Sequence, residues 1–359
     1  MGIAINLTPH AVGELVARDP AGQPLYVVVV KATYSFATPG QLEAIAPQPI
    51  VDLDRYAGPP ATSGLLAAGD IGLPKPQVDV LLQGALKFPA PVVEATVSLE
   101  VGSRLQKRTK VFGDRAWVPG VASELSATRP RAISELPIAW ELAAGGQSAG
   151  DGTDPKLIER RNPAGRITGG RNARELQGKL LPNFARADDD GSGWKVRREP
   201  VGFGPIAPHW EPRASLAGTY DQRWRQRRAP LLPEDFQPAF LNCAPADQQL
   251  PRYVPGDPVR LRGMTRGGEA RFALPEFSLP VTFVMRTLIE ETRIRVDTII
   301  IEPAEERVSL VARAVCSPRP SANAVREIFV GPLTRGRRLA LELGKPFVDL
   351  RALPVRTRS

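Results

Sequence analysis

Proline sets the strongest limit on what this chain can fold into. There are 37 among 359 residues, about twice the ordinary share of roughly 5%. A ring nitrogen without a hydrogen cannot donate inside a helix, whereas turns and strand edges tolerate it. The expectation is a mainly β protein: two β-rich, sandwich-like portions, a long loop-rich central segment and a few short helices.

Local patterns place the strands. Residues 25–36, LYVVVVKATYSF, are rich in β-branched types, and their unbroken apolar half predicts a strand buried on both faces. Residues 78–82 form a second. Across 94–112 the pattern alternates, with Val97, Leu99 and Val101, a turn at Gly102 and Ser103, then Leu105, Thr109 and Val111 returning as a hairpin. Strands resume at 259–262, 279–287, 293–301 and 308–315, the last two joined through 302–306. The expected division is an N-terminal β-rich domain at 1–142, a loop-rich segment at 143–250 and a C-terminal β-rich portion at 251–359. Within the loop-rich segment, 143–193 loses apolar density and gains glycine and charge. Structureless stretches of that length are uncommon in compact folds and are usually functional, so this one is a candidate contact region.

Two cysteines and two histidines, Cys243, Cys316, His10 and His209, are too few for a disulfide framework or a four-cysteine zinc site. The N-terminus lacks a basic region followed by an apolar core, and no apolar run approaches the roughly 20 residues that span a bilayer. A cytoplasmic protein with reduced thiols and no membrane association is expected. The net charge of +9 is unevenly placed: residues 156–228 hold 16 basic and 8 acidic side chains, and 331–359 hold 7 and 2. Basic segments on an otherwise acidic chain point to an acidic partner surface or a polyanion.

The stretch 199–248 stands apart, because it packs Trp210, Trp224 and many glycines and prolines together without any hydrophobic period. Gly202-Phe203-Gly204-Pro205 reads as a turn whose glycines permit positive φ, with Phe203 pointing inward. Thr219 or Asp221 is placed to cap a short helix through Trp224 and Arg228, which share a face and suggest an indole–guanidinium stack, and Pro230 ends it. A second short helix is expected at 233–240, with Phe236 and Phe240 buried together. Asp221, Asp235 and Asp247 are candidates for buried bidentate pairs with nearby arginines. That makes the stretch a structural clasp, carried by Gly202, Phe203, Gly204, Pro205, Trp210, Arg213, Gly218, Tyr220, Asp221, Trp224, Arg228, Asp235, Phe236, Asp247 and Gln248.

The runs GFGPIAPHW, AGTYDQRW, LLPEDF and NCAPADQ resemble the bacterial domain of unknown function family 2169. VVVVKATYSF, DLDRYAGPP, LPKPQVDVLLQG, VFGDRAW, LPNF and VDTIIIEPAEERVSLVARA agree with it in order. The resemblance implies a type VI secretion accessory protein: a non-catalytic adaptor or chaperone whose partners are a toxic effector and the secretion spike. It brings no catalytic residue and no cofactor.

Other chemistries find weak support. Asp188, Asp190, Ser192, Gly193 and Glu199 match calcium-loop spacing, but Lys195, Arg197 and Arg198 repel a cation, and Pro182 and Pro200 oppose the flanking helices. His209-x-Glu211 resembles a zinc-deaminase start without the Cys-x-x-Cys that must follow, so a packed imidazole beside Trp210 is favoured. A catalytic triad would have to recruit His10 or His209 with no local support, and Gly331 to Gly336 precedes arginines rather than the lysine of a phosphate loop. Two rival functions remain: nucleic-acid binding through the cluster Arg223 to Arg228, and an enzyme of unrecognised type using His209, Glu211 and Asp221.

Overall fold

The apolar N-terminal run folds as its composition predicts. In the computed structural model, which describes residues 4–20, 22–121, 124–147, 158–169, 173–318 and 324–347, Pro24–Ser35 is a strand of 12 residues. Val28, Val30 and Ala32 enter the main core on one face. Val27 and Val29 join Ile300 and Val311 in a second cluster on the other.

This strand sits in a seven-stranded sheet. Its order is Gln249–Leu250, Val78–Leu82, Arg295–Glu302, Arg307–Cys316, Pro24–Ser35, Ala11–Arg18, with Glu43–Ile45 also paired to Pro24–Ser35. Val78–Leu82 runs parallel to Arg295–Glu302, and the other neighbours are antiparallel. A five-stranded sheet, ordered Phe184–Arg186, Leu105–Phe112, Glu94–Val101, Pro258–Arg262, Glu269–Ala273, contributes to the main core. Val97, Leu99, Leu261 and Phe272 meet Val28 and Val30 there, and Phe36 stacks on Phe272 with ring centres 4.9 Å apart. A four-stranded sheet of Ala4–Asn6, Val325–Val330, Pro280–Met285 and Ile289–Arg293 adds Val281, Phe283 and Ile328 to the same core. The protein is mainly β, and its few helices are short, the longest described one being Arg335–Glu342.

The sheets do not divide at 142 and 251. Arg295–Glu302 and Arg307–Cys316 lie between Val78–Leu82 and Pro24–Ser35, and Pro258–Arg262 extends the hairpin formed by Glu94–Val101 and Leu105–Phe112. Each half of the chain has strand edges that the other half pairs, which removes exposed ladder groups. Residues 143–193 also carry structure where they are described. Leu176 and Leu181, with Trp194 just beyond, close a satellite core with Trp117 and Leu125, while 148–157 and 170–172 lie outside the described residues.

Charged residues line the second face of the central sheet. Lys31 pairs with Asp70 at 2.8 Å, Arg313 with Asp297, and Lys75 with Asp79 at 2.7 Å, all buried. Breaking such a pair costs far more than the pair contributes, because it strands an ion away from water. No described helix is long and apolar enough to cross a membrane.

Candidate functional site

Lys107 organises the two ends of the stretch 199–248. It occupies an inward position of the strand Leu105–Phe112, between Leu105 and Thr109, and is 6% exposed. Its three ammonium hydrogens find Gly202 O at 2.7 Å, Gln248 Oε1 at 2.7 Å and Asp247 Oδ1 at 2.9 Å. That is the full donor complement of a lysine. Burial draws the Lys107 pKa below its ordinary value, opposed by the Asp247 carboxylate. The ammonium also lies 5.2 Å from the centre of the Phe203 ring, which is fully buried as the sequence predicts.

Gln248 completes the clasp. Its Nε2 donates to Val80 O at 2.7 Å and Phe203 O at 2.9 Å, while Leu82 N–H donates to Phe203 O. Backbone and amide groups thus stand in for a strand along Val78–Leu82 beyond the short partner Gln249–Leu250. Neither Gly202 nor Gly204 takes a positive φ, contrary to expectation. Close approach sets the space at Gly202 instead, since a Cβ there would lie 3.0 Å from the Trp140 ring and the ring would have to shift to admit it. Trp140 donates its indole N–H to Pro205 O at 2.9 Å and meets Trp210 edge-on at 6.5 Å. Sequence reading missed both Lys107 and Trp140. The available signal was a lysine in an inward slot of an alternating strand.

A groove of about 590 Å³ opens beside this clasp, lined by Gln106, Arg108, Arg186, Glu199, Pro245 and Asp247 among others. Strand Phe184–Arg186 pairs only with Thr109–Val111, so 105–108 has no strand on that side among the described residues. Phe112 N–H donates to Asn183 O on the same side. Alternation along the strand then directs the N–H and C=O of Gln106 into the groove.

The middle of the stretch projects outward as a self-capped knob. Asp221 caps the helix Gln222–Arg227 by accepting Trp224 N–H at 2.7 Å, and Pro230 follows its end. Trp224 and Arg228 turn toward the fold, with Arg223 and Arg227 exposed. The expected stack is replaced. Trp224 donates to Leu231 O and meets Tyr220 edge-on at 4.7 Å, while Arg228 donates to Leu232 O and Pro20 O. The second helix is also absent at 233–240: Gln237 N–H is taken by Leu216 O, Pro238 offers none, and a single 3-10 turn follows at Pro238–Leu241. Phe236 and Phe240 still touch, at 5.6 Å.

Among the described residues no arginine pairs bidentately with the three aspartates. Asp221 serves the cap, Asp235 holds Thr219 N–H at 2.9 Å and its hydroxyl at 2.7 Å, and Asp247 takes Lys107. Carbonyls satisfy the arginines instead: Arg213 donates to Ile206 O and Phe240 O and lies over the Phe240 ring. Gly218, at φ 82°, would press a Cβ to 2.8 Å from Pro233, so only glycine fits. A second cleft of about 350 Å³ lies in the knob, where Arg223, Arg227 and Arg228 are interleaved with Asp221, Glu234 and Asp235.

Elsewhere the candidate residues named above have partners close by. Asp188 bonds Arg186, Asp190 bonds Ser192, and Glu199 bonds Arg161. His209 packs against Trp210 and Tyr56, and Glu211 holds Ser215. Cys243 donates to Asp79, and burial pushes its thiol up to about 12. A thiol so fully protonated is a poor nucleophile. Asp79 would be raised by burial but is held below its ordinary value by Lys75 and by hydrogen bonds from Cys243 N–H and Asn242.

Neither curated proteins nor solved structures give a match. A family profile described as an uncharacterized protein conserved in bacteria, DUF2169, matches residues 21–313. These limits take in the clasp, the knob and most of the central sheet, and the chain belongs to that family.

Proposed function

We propose that this protein is a non-catalytic, cytoplasmic adaptor that holds part of a toxic effector and brings it to the spike of a type VI secretion machine. The observation that carries the reading is the groove beside Lys107, where an unpaired strand edge at 105–108 meets rims supplied by 199–202 and 245–247. An extended segment can add to such an edge through main-chain hydrogen bonds, with side-chain pockets setting specificity. Small-molecule sites are mostly apolar with a few polar groups, whereas this groove is ringed by Arg108, Arg186, Asp188, Glu199 and Asp247. A polypeptide with charges of both signs fits it better. Nucleic acid is the weaker candidate, because carboxylates alternate with the knob arginines and offset their field.

Co-purification with the proteins encoded beside it tests the reading. The wild type should capture a toxin or spike protein stoichiometrically. Gln106→Pro, which removes an outward N–H and leaves the inner ladder intact, should lose the toxin while keeping the fold. A protein that purifies alone, or retains nucleic acid at moderate salt, contradicts the proposal.

A further inference from the structure

The five-stranded sheet buries Val97, Leu99, Leu261 and Phe272 on one face, so alternation turns the residues between them to the other. Strand pairing sets these in two rows. Arg108, Ser98, Arg262 and Glu269 form one row, and Gln106, Glu100, Arg260 and Arg271 form the next. Four arginines therefore share these rows with two carboxylates. The strands concerned belong to the part of the chain that is acidic on balance, so folding gathers the excess of positive charge.

Three of the arginines converge on one carboxylate. Glu269 Oε1 takes Arg260 Nε and Arg271 Nε, the latter at 3.0 Å, and Arg262 Nε approaches it to 3.4 Å. Hydrogen bonds from Arg271 and Arg260 hold the Glu269 pKa down to about 2. A guanidinium has five donors, yet among the described residues these three side chains make only three hydrogen bonds, all to Glu269. Arg108 is exposed, and its guanidinium has no partner among the described residues. Arg104, Arg307 and Arg338, by contrast, each have a carboxylate to themselves, in Asp257, Glu302 and Glu291.

The spacing of the unfilled donors describes the partner. Arg260 and Arg262 stand two residues apart on one strand, about 6.7 Å, which is also the repeat of alternate side chains on any extended chain. Arg108 and Arg262 flank Ser98 from the two neighbouring strands, about 10 Å apart at the backbone. Guanidinium forks pair bidentately with carboxylates. Nucleic acid fits less well: neither row holds an aromatic side chain on which a base can stack, and Glu100 interrupts the second row where a line of phosphates would run.

We propose that this face is a second docking surface, which takes an extended polypeptide segment carrying carboxylates at alternate positions. Its centre, Arg260, Arg262 and Arg271, lies two and three strands away from Leu105–Phe112, so this surface is independent of what the groove beside Lys107 binds. A fluorescein-labelled peptide of alternating glutamate and serine, followed by anisotropy, supplies the test. The wild type should bind it saturably, and less tightly as salt screens the charges. A peptide of the same composition with its glutamates in one block should bind several-fold more weakly, because only half of them then face the arginines. Arg260→Glu combined with Arg262→Glu should weaken binding about tenfold while keeping the wild-type circular dichroism spectrum. Glu269→Gln, which releases three arginines from their shared carboxylate, should tighten it several-fold, a gain that arginines merely bracing the sheet would not give. Gln106→Pro should leave the affinity unchanged. Absence of saturable binding, equal binding of the two peptides, or insensitivity to either the arginine or the Glu269 change overturns the proposal. So does tighter binding of an oligothymidylate of equal charge, or loss of the peptide in Gln106→Pro, which would return the site to the groove.

Discussion

The two ends of the stretch 199–248 and its middle share a composition of glycine, proline and aromatic residues, yet they do different physical work. At the ends, Gly202, Phe203, Trp210, Asn242 and Gln248 are buried and complete a sheet edge. In the middle, Tyr220, Asp221 and Asp235 are exposed, and they satisfy only their own local backbone and hydroxyl groups. Stability should therefore depend steeply on the first region and weakly on the second, because the penalty for a lost partner scales with how far the orphaned group lies from water.

Four perturbations sharpen or break this contrast. Asp79→Ala, behind the clasp, leaves the buried Lys75 ammonium and Asn242 amide without their carboxylate. It should cost about 3–5 kcal/mol in chemical denaturation. The same pair sets the pH response. Asp79 is held below its ordinary 3.8, so its contribution is present above that value and is lost as acid reaches the lower folded value. Lys75 would be lowered by burial but is raised above its ordinary 10.5 by Asp79, Cys243 and Asp297, so its contribution holds below 10.5 and is lost only above. Melting temperature should stay level in this respect between those limits.

Lys107→Met should cost about 3 kcal/mol, since it strands Gly202 O and Gln248 Oε1 in the interior. Asp221→Ala removes a helix cap from an exposed element and should cost about 1 kcal/mol. Arg223→Ala, exposed in the knob, should change stability by less than about 0.5 kcal/mol. Equal losses for Lys107→Met and Asp221→Ala would erase the distinction between the two regions.

Much of the fold was legible because strand patterns are local. The unbroken apolar run at 24–35, the short apolar strand at 78–82 and the alternating hairpin at 94–112 can each be read within a short window, and so can the inward Phe203 between its glycines. The interleaving of the chain's halves was hidden, because pairing between residues more than 200 positions apart leaves no trace in a local window. Lys107 was passed over because a charged residue within an alternating strand reads as solvent-facing, although Leu105 and Thr109 flank it on the buried side. The aspartate–arginine pairs failed for a different reason. Sequence proximity says which ions are near, while helix caps and free carbonyls compete for them.

Hydrogen exchange, read residue by residue with and without the effector encoded beside this protein, tests the account most directly. Free protein should exchange Leu82 slowly, since its N–H is buried against Phe203 O, and should exchange Gln106 and Trp224 quickly. Adding the effector should slow Gln106 and leave Trp224 unchanged. Protection of Trp224 with Gln106 still exchanging freely would move the binding surface to the knob and contradict the account.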